Sequence, residues 1–327
     1  MTLATGVGSL PGEDYAEAVR MVLGELPELV HLPELPARGA IASMTGRALA
    51  MVADLGFDLQ PAGWRLTDAS GLDHRRARSL LAQDLDQLEE QTQGYTGPLK
   101  VQVAGPWTLA ATVEKPRGDR VLSDFGARRE LAQALAEGAR AHVADVRRRV
   151  PGADLVLQVD EPALPAVLDG RVPTASGFGR HRVVHPPEAS EALEWAVKAA
   201  SSAGAEVWAH CCATDAPLAL LRGAGARGLS VDLDVLAAAG HDVLAEALDA
   251  GERVALGVVP SLAPDTAPTG KDLVERVLRW LDQTGLDPAE VSARIVITPT
   301  CGLAGASPDW ARRAMELCRE AATNLTG

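Results

Sequence analysis

The stretch LVLQVDEP, residues 155–162, decides the fold, because a mostly apolar run ends there in two carboxylates and a proline. Apolar runs of this length are typical of strands that are covered on both faces, as in a parallel sheet. Seven other short runs share this character, and longer Ala-, Leu-, Arg- and Glu-rich stretches of helical period separate them. The eight predicted strands are Thr5–Ser9, Val30–Glu34, Lys100–Gly105, Leu155–Glu161, Glu206–Cys211, Gly228–Leu233, Arg253–Val259 and Arg294–Thr300.

Eight strands that alternate with helices predict an α/β fold, a single (β/α)8 TIM barrel, with a doubly wound sheet as the alternative. We expect one domain over residues 1–327, because no low-complexity linker divides the chain. The predicted helices of the repeat are Asp14–Leu26, Ala127–Arg149, Glu188–Ala203, Ala216–Ala224, Val235–Ala250, Lys271–Thr284 and Pro308–Asn324.

Residues 43–96 do not fit the repeat and predict an excursion after the second strand. Met44–Leu55 has the pattern of a helix, Phe57–Leu66 that of a hairpin, and Asp73–Gln91 that of a charged helix. We expect the hairpin to lie over the mouth of the barrel.

Composition and charge exclude several classes of protein. The 31 Lys and Arg residues against 44 Asp and Glu give a net charge of −13, which disfavours nucleic acid and anionic membrane as partners. The N-terminus lacks the pattern of a signal peptide, and no run approaches the roughly 18 apolar residues of a membrane span. Four cysteines in 327 residues do not indicate a disulfide scaffold, so a reducing, cytoplasmic location is expected.

Metal-binding side chains recur where the strands end, which is where barrels of this kind carry their chemistry. Because residues two apart on a strand face the same side, His210 and Cys212 share a face that Cys211 does not. Cys301 follows the eighth strand and Asp232 the sixth. One nitrogen, two sulfurs and an oxygen suit zinc better than magnesium or calcium. We therefore predict Zn2+ as the cofactor, with these four residues as ligands.

Further polar and aromatic residues fall at the same predicted rim. The predicted catalytic residues are Asp160 and Glu161, and the predicted substrate-binding residues are Gly8, Ser9, Glu34, Trp64, Trp107 and Asp160. The carboxylates and the tryptophans each have a structural alternative, since a carboxylate can tie down a loop and a tryptophan most often packs in a core.

Taken in order, six motifs resemble the catalytic C-terminal barrel of cobalamin-independent methionine synthase, in the superfamily that includes uroporphyrinogen decarboxylase. They are VGSLP (7–11), GW (63–64), GPWT (105–108), VDEPAL (159–164), HCC (210–212) and PTCGL (299–303). The resemblance implies a zinc-dependent transfer of a methyl group to the thiol of homocysteine. It also implies that Gly8, Ser9 and Asp160 contact homocysteine, that Trp64 contacts folate, and that Asp232 replaces a glutamate ligand.

The chain departs from this pattern in ways that bear on the methyl donor. The stretch GVVPSLAP, residues 257–264, has no histidine where the family has one that assists catalysis. We also expect no counterpart of the family's N-terminal half, which helps to bind folate. The donor is therefore expected to be a methylated corrinoid protein or methyltetrahydrofolate, with the corrinoid favoured. The alternatives are a decarboxylase-like barrel of the same superfamily and a non-catalytic relative that binds zinc or a thiol.

Overall fold

The computed structural model describes residues 1–326, and its main feature is a curled sheet of eight parallel strands in the order β1-β10-β9-β8-β7-β6-β5-β2. The strands are β1 (Leu3–Ala4), β2 (Val30–His31), β3 (Gly56–Gln60), β4 (Gly63–Thr67), β5 (Pro98–Ala104), β6 (Asp154–Asp160), β7 (Glu206–Cys211), β8 (Gly228–Asp232), β9 (Arg253–Val259) and β10 (Ile295–Pro299). β3 and β4 form a separate antiparallel pair. The predicted (β/α)8 barrel fold is confirmed.

Helices follow most strands and cover the outside of the sheet. They are α1 (Tyr15–Glu25), α2 (Met44–Met51), α3 (Leu72–Gln91), α4 (Pro106–Thr112), α5 (Phe125–Arg149), α6 (Leu164–Leu168), α7 (Pro186–Ser202), α8 (Leu218–Gly223), α9 (Ala238–Asp249), α10 (Gly270–Thr284), α11 (Pro288–Val291) and α12 (Pro308–Thr326). Short 3-10 turns lie at Pro36–Arg38, Ala40–Ala42, Val121–Ser123 and Ser292–Arg294. Among residues 1–326, no helix has the length and apolar character needed to cross a bilayer.

The barrel closes where the chain segments that follow β1 and β2 meet. Ser9 and Glu34 form a parallel bridge. The backbone N–H of Glu34 donates to the carbonyl of Gly8 at 3.1 Å, and that of Leu10 donates to the carbonyl of Glu34 at 2.8 Å. The two outer strands of the sheet are thereby joined at the end that carries the predicted site.

The predicted second strand is too long, and the predicted first strand, Thr5–Ser9, begins only after β1 has ended. Beyond β1, side chains inside the barrel take the place of ladder partners. The backbone N–H of Gly6 donates to Nδ1 of His31 at 3.2 Å. The carbonyl of Val7 accepts from Nζ of Lys100 at 2.8 Å and from Nε2 of Gln158 at 3.0 Å. Position 6 requires glycine, since a Cβ there would lie 2.3 Å from Cε1 of His31.

An apolar cluster fills the end of the barrel where the strands begin. Trp208 is its largest member, and Leu29, Val156, Ala255 and Val296 surround it. Gly228 on the neighbouring strand leaves room for the indole, since a Cβ there would lie 2.4 Å from Cδ1 of Trp208. Bulky side chains of this kind are the usual filling of such barrels. Nε1 of Trp208 donates to Oε1 of Glu206 at 2.6 Å, so this end of the barrel is apolar inside and polar at its rim.

The predicted hairpin is present as β3 and β4, and it is held by the segment that follows α4. The backbone N–H of Leu66 donates to the carbonyl of Glu114, and that of Glu114 donates to the carbonyl of Trp64, both at 2.8 Å. Arg65 also forms a salt bridge with Glu114 at 2.5 Å. Because α4 starts where β5 ends, these contacts tie the hairpin to the carboxyl side of the barrel.

Candidate metal centre and its cavity

The ends of the parallel strands surround a cavity of about 230 Å³. Its lining residues are Val7, Gly8, Ser9, Glu34, Pro36, Met44, Gln102, Asp160, Pro162, His210, Cys212, Cys301 and Gly302. Seven of the predicted site residues are in this list: Gly8, Ser9, Glu34, Asp160, His210, Cys212 and Cys301. They come from five different strand ends, so only the closed barrel brings them together.

His210, Cys212 and Cys301 form a group suited to a metal ion, with their ligand atoms all within 4.8 Å of one another. His210 is the second-last residue of β7, Cys212 follows that strand directly, and Cys301 follows β10. Nδ1 of His210 lies 3.0 Å from Oγ of Ser230, so the other ring nitrogen is the one left for the group. A hydrogen bond of this kind fixes the ring orientation of a metal-binding histidine.

The two sulfurs of this group are arranged to stabilise one thiolate. Sγ of Cys212 and Sγ of Cys301 are 3.0 Å apart, and both cysteines are free. The hydrogen bond from the Cys212 thiol lowers the pKa of Cys301 to about 4, against the opposing effect of burial, and His210 lowers it further. The same hydrogen bond raises the pKa of Cys212. Thiolate sulfur and imidazole nitrogen are the preferred ligands of zinc, so the residues present fit that ion.

The other two cysteines lie in the hydrophobic core. Cys211 points away from Cys212 and is buried among apolar residues outside the barrel interior, and Cys318 is buried on α12. Burial raises the pKa of the Cys211 thiol to about 12. Neither sulfur belongs to the metal-binding group.

Asp232, the predicted fourth ligand, lies outside the metal-binding group of the described residues. Its Oδ1 accepts a hydrogen bond from the backbone N–H of Asp234 at 2.9 Å. Asp234 pairs in turn with Arg276 on α10. The next helix, α9, begins three residues later than predicted, at Ala238. Asp232 as a zinc ligand therefore stays a prediction.

Asp160 lies at the end of β6 and faces the cavity. Its Oδ1 accepts a hydrogen bond from Nε2 of Gln158 at 2.7 Å. Burial raises the pKa of Asp160 to about 7, while the nearby His210 and Lys100 oppose that rise. The carboxylate is thus held in place by the protein and exposed only towards the cavity.

Glu34 reaches the cavity from the seam of the barrel and is backed by buried charges. Its Oε1 lies 3.5 Å from Nε of Arg47, which in turn contacts Asp84 at 2.5 Å. Arg38 pairs with both oxygens of Asp84 at 2.8 and 2.7 Å. Burial raises the pKa of Glu34, and Arg47 is the main opposing influence. Acidic and basic side chains thus alternate from Glu34 to Arg38, and they orient the Glu34 carboxylate from the side away from the cavity.

Ser9 lies against the end of the last strand. Its carbonyl accepts a hydrogen bond from the backbone N–H of Leu303 at 2.8 Å. A Cβ at position 302 would lie 2.1 Å from Oγ of Ser9, so the glycine there lets the hydroxyl keep this position. The Ser9 hydroxyl is therefore placed beside Cys301, within the same cavity.

Glu161 does not line the cavity, in contrast to its predicted catalytic role. It is fully buried, and its carboxylate accepts from the backbone N–H groups of Trp107 (2.9 Å) and Thr108 (2.8 Å) and from the Thr108 hydroxyl (2.7 Å). Burial raises the pKa of Glu161 to about 7, and these three hydrogen bonds oppose the rise. The carboxylate thus accepts hydrogen bonds from the backbone N–H groups in the first turn of α4 that have no partner within the helix, as a capping residue does.

Replacing Glu161 with glutamine tests this interpretation. The amide would turn a donor towards a backbone N–H, so we expect a loss of about 1–3 kcal/mol in the free energy of unfolding, with zinc content unchanged. Urea unfolding measures the loss, and Glu130→Gln, at an exposed position on α5, is the matched control. A Glu161→Gln protein as stable as wild type but inactive would restore the catalytic role.

Both tryptophans predicted to bind substrate are buried in the core and lie outside the lining of the cavity. Nε1 of Trp107 donates to the carbonyl of Ala189 on α7 at 2.9 Å. Trp64 sits on β4, where the hairpin meets Glu114. Their placement favours the packing role that was the alternative.

The sequence analysis does not identify a set of polar residues of which Gln102 lines the cavity and the others lie beneath it. Lys100, Gln102, Gln158 and Ser230 are all buried within strands. A signal was present, because Lys100 and Gln102 alternate with Leu99, Val101 and Val103 along one strand. That period of two indicates a strand with one apolar face and one polar face.

Comparison with known proteins agrees with this geometry. The family described as "Cobalamin-independent synthase, Catalytic domain" matches residues 96–324. No curated protein matches the chain. Among solved structures, a B12-independent methionine synthase from Shewanella sp. W3-18-1 in complex with selenomethionine has 14% identity and a TM-score of 0.64, covering 100% of this chain and 98% of that one. An AP endonuclease of family 2 from Brucella melitensis has 11% identity and a TM-score of 0.45, with coverage of 95% and 98%. The family match spans more than half of the chain, which therefore belongs to the cobalamin-independent methionine synthase family and carries its catalytic domain.

Proposed function

We propose that the protein is a zinc-dependent methyltransferase that transfers a methyl group to the thiol of homocysteine and so forms methionine. The observation that carries the proposal is the group of His210, Cys212 and Cys301 in one cavity with two buried carboxylates. Zinc, when bound by these three residues, would supply the positive charge that keeps the acceptor thiol ionised and nucleophilic.

The chain's own residues would bind and orient the acceptor. Asp160 and Glu34 give the cavity two carboxylates for the substrate's ammonium group, and charge-assisted hydrogen bonds of this kind are strong. Ser9, which neighbours Glu34 at the seam, would also hold the amino-acid portion. Fixing the amino-acid part at three points aims the thiol at the donor, and such orientation supplies much of the rate in a two-substrate reaction.

The charge of the cavity argues against a decarboxylase acting on a large acidic macrocycle. Of the described residues that line it, none is lysine or arginine, and two are carboxylates. A substrate with several carboxylates would be repelled, whereas an ammonium group would be attracted.

We further propose that the methyl donor is a methylated corrinoid protein. A folate amine needs a proton when it leaves, whereas a reduced corrinoid leaves without one. The loop after β9 has no histidine, and its first acidic residue, Asp265, is exposed. The carboxylate of Glu161 is already used to accept hydrogen bonds from the start of α4. The carboxylates that remain at the cavity, Asp160 and Glu34, are assigned to the ammonium group.

A donor comparison tests the function and the donor together. Zinc-loaded protein is incubated with L-homocysteine and either methylcobalamin or methyltetrahydrofolate, as the mono- and the triglutamate, and methionine is measured. We expect faster transfer from methylcobalamin, by about 100-fold or more, because a missing general acid typically costs that much.

The His210→Ala protein serves as the control for zinc-dependent transfer. Faster transfer from either folate would overturn the corrinoid proposal while keeping the methyltransferase. Binding of homocysteine without methionine from any donor would favour the non-catalytic alternative.

A further inference from the structure

Lys100 is a fully buried charge that the proposed chemistry does not use. It lies in the middle of β5 and is 0% exposed. Its Nζ donates to the carbonyl of Val7 at 2.8 Å and to Oε1 of Gln158 at 2.9 Å. Neither Lys100 nor Gln158 lines the cavity, so both lie behind the residues that do. Burying a lysine costs free energy that an apolar side chain would not, so a role beyond packing is indicated.

The chemistry of an ammonium group fixes the orientation of the neighbouring amide. An ammonium group only donates, so Gln158 must turn its oxygen towards Lys100. The amide nitrogen then points the other way, where it donates to the carbonyl of Val7 at 3.0 Å and to Oδ1 of Asp160 at 2.7 Å. Both of its hydrogens are used, and the side chain has one orientation that satisfies every partner.

We propose that Lys100 is a positioning residue that acts through Gln158 to hold the Asp160 carboxylate ready for the ammonium group of the substrate. The inference rests on the proposed function, in which Asp160 binds that ammonium group. Without Lys100, Oε1 of Gln158 loses its donor, and the amide keeps only the two hydrogen bonds of its nitrogen, to Val7 and Asp160. The amide would then be held less firmly, and the Asp160 carboxylate would lose part of its fixed direction.

The test compares two thiols that differ in one group. Dissociation constants of the zinc-loaded protein are measured by calorimetry for L-homocysteine and for 4-mercaptobutanoate, which lacks the amine. For Lys100→Met and for Gln158→Met, we expect homocysteine binding to weaken by about tenfold, in line with the loss of one hydrogen bond to a charged group. Binding of 4-mercaptobutanoate should change by less than about twofold, within the usual range for an uncoupled site.

A matched control and a double-mutant cycle separate positioning from general damage. Thr298→Val alters another buried polar side chain, on β10, and should leave both dissociation constants unchanged. In the Asp160→Asn background, Lys100→Met should have almost no further effect on homocysteine binding, because the two residues act as one unit.

The inference is overturned if Lys100→Met weakens both thiols equally, or if its effect persists in the Asp160→Asn background. Should the Lys100→Met protein not fold, Gln158→Met alone decides by the same comparison. Wild-type protein that fails to bind homocysteine would remove the proposed function as well. Wild-type binding that neither variant alters would remove only this inference.

Discussion

Replacing Cys301 with alanine is expected to abolish zinc binding, and replacing Cys212 should do the same. Each supplies one of the three ligand atoms in the group. The two sulfurs also share one proton in a hydrogen bond, so that one of them can be a thiolate. Removing a partner that merely supports a ligand typically costs about 10- to 100-fold in metal affinity, and removing a ligand itself should exceed that. Zinc content after purification, and competition with a chromogenic chelator, provide the measurement.

The chain contains its own controls for this experiment. Cys211→Ala and Cys318→Ala remove thiols that lie in the core, so they should lower stability somewhat and leave zinc content near that of wild type. Asp232→Asn belongs in the same series, and we expect a smaller loss from it than from Cys301→Ala. Equal zinc loss from Cys211→Ala would show that the assignment of faces on β7 is wrong.

Replacing Asp160 with asparagine should weaken homocysteine binding by about 10- to 100-fold, because a hydrogen bond between charged groups contributes about 1.5–3 kcal/mol. The substitution keeps the size of the side chain and removes only its charge, so the zinc content should be unchanged. Calorimetric titration of the zinc-loaded protein with homocysteine gives the affinity.

The control for this substitution is Asp154→Asn. It lies on the same strand, but at the exposed end of the barrel that is remote from the cavity. Unchanged affinity in the Asp160→Asn protein would exclude Asp160 from the binding of the ammonium group. Loss of zinc along with affinity would mean that the residue supports the metal rather than the substrate.

The barrel and much of its cavity could be predicted because they follow from local patterns. Apolar runs mark strands, their carboxyl ends meet at one rim, and alternation on β7 separates Cys212 from Cys211. Those rules alone place His210, Cys301 and Asp160 near one another. The order of the motifs along the chain then supplied the resemblance to a family.

The sequence does not reveal the partner of a side chain when that partner lies far away along the chain. Glu161 is predicted as a second catalytic acid, but its carboxylate accepts hydrogen bonds from the start of α4, more than 50 residues earlier. The carbonyl of Val7 leaves the ladder for Lys100 and Gln158, which are 93 and 151 residues away. No local pattern encodes such pairings, because they depend on how the barrel closes.

That closure has a consequence for how the protein responds to its substrate. The seam beside the cavity depends on a few backbone hydrogen bonds around Ser9 and Glu34, and β1 and β2 are only two residues long. A ligand that contacts both residues spans this junction. Opening the barrel there would break some of the ligand's contacts, so ligand binding makes the opening more costly. Substrate occupancy and the integrity of the fold are therefore thermodynamically linked at the seam.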